Sequence, residues 1–266
     1  MFNWDPSPAI FSWNLPILGR PLLWYGAFFA LGFFLAYLAF VSLLKRERKD
    51  ARKVTDQLST YLLVGILLGA RLFDIIFYEK PGALFHDPLF IFRLWEGGLS
   101  SHGAVIGLMV AAYIFQKRHR YFSSLHLLDL LSIVAALPAA CIRLGNFFNQ
   151  EILGRPTDVP WAIVFGHPID GSFPVPRHPV QLYEAVFYLT LFGMMWSLRR
   201  KKWPCGRLCG LFLMSVFVFR FGIEFFKEEQ SLFLQSNLTM GQWLSVPFIL
   251  IGVYLFFRGR KGKIGN

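Results

Sequence analysis

Seven long apolar segments constrain the fold of this chain more than any other feature of its sequence. A segment of about 20 apolar residues is long enough to cross a bilayer as a helix. The chain is 55% hydrophobic and only 16% charged, which is too apolar for a soluble domain. We therefore predict an all-α integral membrane protein with seven transmembrane helices. The predicted helices cover residues 22–44, 58–77, 99–115, 126–142, 180–198, 208–226 and 243–257.

The basic residues predict how these helices are oriented. Eighteen of the 27 lysines and arginines lie in four segments that follow the first, third, fifth and seventh helices. Cytoplasmic loops carry an excess of basic residues, so we expect the N-terminus outside and the C-terminus in the cytoplasm. This placement explains the net charge of +11 by topology, and we expect no nucleic-acid partner. The four segments are 45–53, 117–120, 199–207 and 258–263.

One outer segment, at about 143–179, is long enough to form a small head. It contains a short apolar run at 161–165, followed by turn signals and a proline-rich stretch, a pattern typical of short β-strands. We interpret residues 1–266 as a single transmembrane domain with this head as an extracytoplasmic insertion. Because the cysteines lack zinc-type companions, we expect no disulfide, no metal and no cofactor. The cysteines are Cys141, Cys205 and Cys209.

Residues 140–155 carry an unusual density of polar groups at the end of the fourth apolar segment. Their sequence is A-C-I-R-L-G-N-F-F-N-Q-E-I-L-G-R. Arg143, Asn146 and Gln150 are spaced i, i+3 and i+7, so they form one polar stripe if the helix continues. Polar groups at such density need partners or a ligand. We predict a site here.

Charged residues inside the apolar segments need a partner or a purpose, because each costs about 2.5 to 3.5 kcal/mol to insert. Arg71 and Asp74, spaced i and i+3, fit a helix-local ion pair as well as a ligand contact. Arg220 and Glu224, spaced i and i+4, fit a neutralising pair. We favour a function for Arg220, because its predicted depth in the outer half of the bilayer also suits a lipid phosphate.

His102 and Tyr25 complete the set of candidate residues. Glycines around His102 allow a substrate to approach closely, and both catalysis and a structural role remain open for it. Tyr25 fits the interfacial aromatic belt. The predicted topology places His102, Tyr25, Arg143 and Arg220 in the outer half of the bilayer, on four different helices. Such a set suits binding of a phospholipid head group and movement of a proton near it.

Three other classes of protein explain fewer of these features. A seven-span transporter or channel predicts polar groups along a path through both leaflets, whereas the cytoplasmic halves of the predicted helices are almost purely apolar. A scaffold or receptor leaves residues 140–155 unexplained. A metal-dependent phosphoalcohol transferase needs clustered aspartates, and Asp74, Asp129 and Asp170 are scattered.

Six motifs in this chain resemble the bacterial prolipoprotein diacylglyceryl transferases, the Lgt family. The stretch R-L-G-N-F-F-N-Q-E-I-L-G-R resembles the family signature. Ile142 and Ala104 depart from the pattern, because glycine is usual at both places. The motifs are L-W-Y-G at 23–26, G-A-R at 69–71, G-G-L-S-S-H-G at 97–103, the signature at 143–155, R-H-P-V-Q-L-Y-E at 177–184 and F-R-F-G-I-E-F-F at 219–226.

The resemblance implies a multi-pass enzyme of the bacterial cytoplasmic (inner) membrane, with its active site towards the outer leaflet. Its implied partners are phosphatidylglycerol, preprolipoprotein signal peptides with a lipobox cysteine, and membrane lipid. The implied reaction moves the sn-1,2-diacylglyceryl group to the thiol of that cysteine, forming a thioether and releasing glycerol phosphate. The nucleophile then belongs to the substrate, so we expect Cys141 to be dispensable. The alternatives are a transporter and a lipid-binding protein without transferase activity.

The resemblance also implies roles for individual residues. His102 is the expected proton acceptor for the substrate thiol, and Arg143 and Arg220 are expected to hold the phosphodiester and stabilise its added charge. Tyr25 is expected to contact substrate or phosphate. Three residues match family positions and are expected to shape the head-group pocket and orient the arginines: Asn146, Glu151 and Gly154.

Overall fold

A computed structural model describes residues 2–11, 21–77, 100–228 and 238–258, with the side chains of Ser101 and His102 outside the description. These residues form seven α-helices, the predicted number. The helices are α1 (Trp24–Leu44), α2 (Ala51–Phe77), α3 (Ser101–His119), α4 (Ser124–Phe148), α5 (Val180–Leu198), α6 (Arg207–Ile223) and α7 (Met240–Arg258), and a 3-10 turn (Glu224–Phe226) follows α6.

Five of the helices, α1, α2, α4, α6 and α7, are long and apolar enough to cross a membrane. The other two carry polar residues that lower their mean hydropathy. In α3 these lie at the last turn, which includes Lys117 and Arg118, and in α5 they are the buried Gln181 and Glu184. The membrane-spanning role of α3 and α5 stays a prediction.

The fourth helix continues six residues beyond its predicted end, so that Arg143 and Asn146 lie on its last turns. The helix ends at Phe148, before Gln150, so the condition under which Gln150 would join the polar stripe is not met. Gln150 has a φ of 53°, in the left-handed region that ends a right-handed helix. Its side chain turns instead to Asp5 and to the backbone of His167.

By their contacts, the residues form two compact units, one of Met1–Ala39 with Leu128–Asn266 and one of Phe40–Leu127. The first unit contains a three-stranded sheet of β1 (Phe2–Trp4), β2 (Ile163–Phe165) and β3 (Pro176–Arg177). The prediction of short strands in the head is confirmed at the apolar run. The sequence did not predict that β1 pairs in parallel with β2, because this pairing joins residues about 160 positions apart.

The sheet packs on the C-terminal end of α4. Phe147 of that helix is buried with Leu153 and Phe165. The Trp4 ring stacks on Phe147 with 4.5 Å between centroids, and its Nε1 donates to the Phe147 carbonyl at 3.1 Å. The head and the N-terminal strand are thereby attached to the helix end that carries Arg143 and Asn146.

Asp129 caps the start of α6 from α4. Its carboxylate oxygens accept hydrogen bonds from the backbone N–H groups of Gly206 at 2.6 Å and Cys209 at 2.7 Å. The first N–H groups of a helix have no partner within the helix, and a carboxylate also suits the positive end of the helix dipole. Asp129 therefore has a structural explanation.

In the second unit, α2 and α3 cross at four glycines. A Cβ placed at Gly107 would lie 2.0 Å from the carbonyl oxygen of Gly65, and one placed at Gly69 would lie 2.4 Å from that of Gly103. Small residues at such crossings let the backbones of two membrane helices approach closely. Gly103, the glycine next to His102, is therefore used for packing against α2, since a Cβ there would lie 2.2 Å from the carbonyl oxygen of Gly69.

We predict that Gly107→Ala destabilises the protein by about 1 to 3 kcal/mol, because the added methyl group meets a backbone atom that has no rotamer to escape into. Gly193→Ala on α5 is the matched control, since a Cβ there would have no neighbour within 4 Å. Thermal unfolding in detergent micelles measures both. Equal unfolding temperatures for the two variants would contradict the close crossing.

Candidate active site

Arg143 is the first residue of the site, on the last turns of α4. Its Nη1 donates to Oδ1 of Asn146 at 3.2 Å, a contact that the i, i+3 spacing on one helix face permits. Its Nε lies 3.0 Å from Oε2 of Glu184 on α5. That oxygen lies off the N–H direction, so the contact is an ion pair without a well-directed hydrogen bond.

Asn146 connects Arg143 to Glu151. The Asn146 side chain accepts from Arg143 with its oxygen and donates with Nδ2 to Oε1 of Glu151 at 2.7 Å. Asn149 donates to the same oxygen at 3.4 Å. Asn146 is buried, and a buried amide that uses both its ends fixes the orientation of each partner. The structure thus brings three of the predicted site residues together.

Tyr25 joins this group from the start of α1. A Cβ at Gly145 would lie 3.0 Å from Cδ2 and 3.2 Å from Cα of Tyr25, so α1 passes α4 where the side chain is absent. The phenol interacts electrostatically with Glu151 and Arg143. Tyr25 is therefore next to the charged residues of the signature stretch, as predicted.

Glu184 and Lys227 belong to the site and were missed from the sequence. Glu184 is 2% exposed, and its Oε1 lies 3.0 Å from Nζ of Lys227. Lys227 also lies 3.6 Å from Oε1 of Glu224. Arg143, Glu184, Lys227 and Glu224, which we name the charge chain, alternate in sign. An acidic residue in the apolar helix α5 was the signal available in the sequence.

Arg220 does not form the i, i+4 pair with Glu224 that the spacing suggested. Because α6 ends at Ile223 and the chain enters a 3-10 turn, the Glu224 carboxylate meets Lys227 and the Thr239 hydroxyl instead. No carboxylate in the described part of the chain lies within ion-pair distance of Arg220. Its guanidinium is therefore a charge without a counter-ion among these residues.

Tyr188 of α5 lies within electrostatic reach of both Arg220 and Arg143. Its phenol interacts electrostatically with both arginines and with Glu184. Beside it, Phe187 stacks on Phe219 of α6 with 3.9 Å between ring centroids and 3° between planes. This stacking holds Arg220 and Tyr188 at one level of the α5 and α6 pair.

Gly154 has a packing role in the turn that follows the signature helix. A Cβ there would lie 2.2 Å from the carbonyl oxygen of His178, so any side chain would force the two segments apart. Its own carbonyl accepts from Nη1 of the buried Arg177 at 3.1 Å. Gly154 also bridges to Lys227 and so connects the head to the charge chain.

His102 is the second residue of α3, in the unit formed by Phe40–Leu127, and its side chain lies outside the described residues. Its predicted role is therefore not tested. In the same unit, Arg71 and Asp74 form an ion pair at 4.0 Å with Arg71 1% exposed. The two side chains thus lie at the distance of a helix-local ion pair, and a ligand contact for them stays an open prediction.

Comparison with known proteins identifies the family. Residues 13–258 match the family model described as prolipoprotein diacylglyceryl transferase. The chain belongs to the prolipoprotein diacylglyceryl transferase family. Similar curated proteins are named phosphatidylglycerol–prolipoprotein diacylglyceryl transferase. That of Tolumonas auensis is 42% identical over 99% of both chains, and that of Chlamydia trachomatis is 38% identical over 99% of this chain and all of the relative.

In this member of the prolipoprotein diacylglyceryl transferase family, we predict that Lys227→Met is strongly destabilising. Without Lys227, Glu184 keeps only Arg143 and Glu224 has no cation in the charge chain. Removing one partner of a buried ion pair costs about 3 to 5 kcal/mol. Lys227→Arg keeps the charge and should stay close to wild type. Thermal unfolding in detergent measures the difference.

Lys201→Met, at an exposed position in the loop after α5, is the control for removing a lysine charge. If Lys227→Met unfolds at the same temperature as Lys201→Met, the charge chain does not stabilise this site.

Proposed function

We propose that this chain transfers the sn-1,2-diacylglyceryl group of phosphatidylglycerol to the thiol of the lipobox cysteine of a preprolipoprotein. The transfer is the first step of bacterial lipoprotein maturation. The observation that carries the proposal is that Tyr188 interacts electrostatically with both Arg220 and the signature residue Arg143, while no carboxylate among the described residues pairs with Arg220. The names of the relatives supply the two substrates.

The proposed location is the bacterial inner membrane, with all seven helices spanning it, the N-terminus outside and the C-terminus in the cytoplasm. The five apolar helices and the four basic segments support this arrangement. It directs the α4 end, the head and the site towards the outer leaflet. A phospholipid of that leaflet then presents its phosphate at the depth of the arginines.

The proposed reaction is a substitution at the carbon of the diacylglyceryl group that bears the phosphate. The thiolate attacks that carbon, the C–S bond forms, and the C–O bond breaks with its electron pair leaving on the phosphate oxygen. Glycerol phosphate departs with more negative charge than the phosphodiester had. Arg220 and Arg143 bind this phosphate, and donors that meet developing charge contribute roughly 3 to 4 kcal/mol each.

The substrate thiol has to lose its proton, because the thiolate is the nucleophile. We propose His102 as the acceptor, since an ordinary histidine titrates close to neutral pH. Tyr25 contacts the substrate or its phosphate from the start of α1. The enzyme's own cysteines take no part, so Cys141 is dispensable.

The orientation of Arg143 is set by Asn146 and Glu151, and the shape of the head-group pocket is set in part by Gly154. Asn146 holds one nitrogen of Arg143 while Glu151 holds Asn146. The orientation of the guanidinium is thereby set before substrate binds, which lowers the cost of reorganisation in the reaction. Gly154 lets the turn pack against His178.

Mass measurement of a peptide product tests the proposal directly. Purified protein is incubated with phosphatidylglycerol vesicles and a lipobox peptide, and the peptide should gain the mass of one diacylglyceryl group on its cysteine. A peptide whose cysteine is replaced by serine is the control. Binding of phosphatidylglycerol without any mass gain favours a lipid-binding protein, and movement of lipid between leaflets without mass gain favours a transporter.

We predict that Arg220→Ala lowers turnover at least about a hundredfold, because it removes a proposed donor to the leaving phosphate that has no counter-ion among the described residues. Arg220→Lys should recover only part of the loss, since lysine offers a point charge in place of a planar fork. Arg143→Ala should show a loss of the same order. The peptide assay measures all three.

Arg118→Ala is the matched control, because Arg118 is exposed at the end of α3, and it should retain wild-type turnover. An active Arg220→Ala enzyme would rule out Arg220 as the phosphate ligand.

A further inference from the structure

A strained turn follows the helical part of the signature stretch. Gln150 and Ile152 have φ angles of 53° and 57°, in the left-handed region that is unfavourable for a β-branched residue such as isoleucine. Glu151 lies between them, and its carboxylate accepts from Asn146 at 2.7 Å. A backbone of this kind persists only where the surrounding structure holds it.

Gln150 is held on three sides. Its side chain is 3% exposed, with Nε2 donating to Oδ1 of Asp5 at 3.2 Å and Oε1 accepting from the N–H of His167 at 2.8 Å. Its backbone carbonyl accepts from the N–H of Ile169 at 3.2 Å. The turn is thus fixed from the head and from the N-terminal segment.

Asp5 is brought to Gln150 by the parallel pairing of β1 and β2. Trp4 is in register with Phe165, and its carbonyl accepts from the next residue, Gly166, at 3.0 Å. Nδ1 of His167 lies 2.6 Å from Oδ1 of Asp5. Hydrogen bonds from His167 and Gln150 lower the pKa of Asp5 below its ordinary value, so the carboxylate is a charged acceptor at neutral pH.

A second contact holds the turn without Asp5. The fully buried Gln181 of α5 donates from Nε2 to the backbone carbonyl of Glu151 at 2.7 Å. Loss of Asp5 therefore removes one contact of the turn and leaves three: the N–H groups of His167 and Ile169 still bond to Gln150, and Gln181 still bonds to Glu151. We expect such a loss to change where Glu151 points, with the fold retained.

We propose that Asp5 is a positioning residue for the transfer, an inference that rests on the proposed function. Asp5 holds Gln150, Gln150 keeps the turn left-handed, and Glu151 then reaches back to Asn146 and through it to Arg143. Asp5 itself acts only through these residues. The N-terminal strand is by this account a functional part of the active site.

The first test compares the kcat and KM of Asp5→Ala and Asp158→Ala for phosphatidylglycerol in the peptide assay. Asp158 is an exposed carboxylate of the head, and its variant should match wild type. Asp5→Ala should lose roughly tenfold to a hundredfold in kcat, as expected for a misplaced catalytic group, with little change in KM. Asp5→Asn, which keeps an acceptor oxygen, should lose less. Wild-type kcat in Asp5→Ala overturns the inference.

The second test asks whether Asp5 acts through the strained turn. Glycine adopts a positive φ without strain, so Ile152→Gly should restore most of the kcat that Asp5→Ala loses. In a Glu151→Gln background, Asp5→Ala should add little further loss, because the residue it positions is already impaired. Failure of the glycine rescue, or an equal loss in both backgrounds, means that Asp5 only stabilises the head, and overturns the inference.

These outcomes are distinct from failure of the proposed function. Wild-type protein that transfers no diacylglyceryl group contradicts the function and the inference together. Active wild-type protein with unaffected Asp5→Ala contradicts the inference alone.

Discussion

The site depends on the pairing of Glu184 with two cations that come from different parts of the chain. A carboxylate that is 2% exposed is costly without compensation, and Arg143 and Lys227 each lie 3.0 Å from one of its oxygens. Since these residues belong to α5, α4 and the segment after α6, one buried charge fixes the relation of three elements. Arg143 is thereby held on one side by Glu184 and on the other by Asn146.

The contacts of Glu224 explain why Arg220 has no counter-ion among the described residues. Glu224 is the carboxylate nearest to it in sequence, and it is occupied by Lys227 and Thr239. If α6 had continued as a helix, the i, i+4 spacing would have favoured a local pair. The helix end at Ile223 changes the partner of Glu224, and a local feature of the backbone thus decides which arginine is available to a ligand.

The sequence predicted the features that arise from local patterns. Seven apolar segments became seven helices, and the apolar run at 161–165 became a strand. It did not predict the pairing of β1 with β2, or Glu184 and Lys227 as partners, because these contacts join distant residues and leave no periodic signal. The sequence left open whether the helix reaches Gln150, because nothing in residues 143–155 indicates a left-handed residue at that position. Arg143, Asn146 and Glu151 were found through the density of polar residues and the family signature.

The distribution of charge in the site matches the change in charge of the proposed reaction. Along the charge chain, two cations and two anions compensate one another, whereas Arg220 adds a positive charge that no described carboxylate offsets. A phosphodiester carries one negative charge, and the departing phosphate monoester approaches two at neutral pH. Only interactions that strengthen in the transition state accelerate a reaction. In the proposed reaction the attraction of both arginines for the phosphate grows as the C–O bond breaks, and Arg220 adds a positive charge that no carboxylate among the described residues offsets.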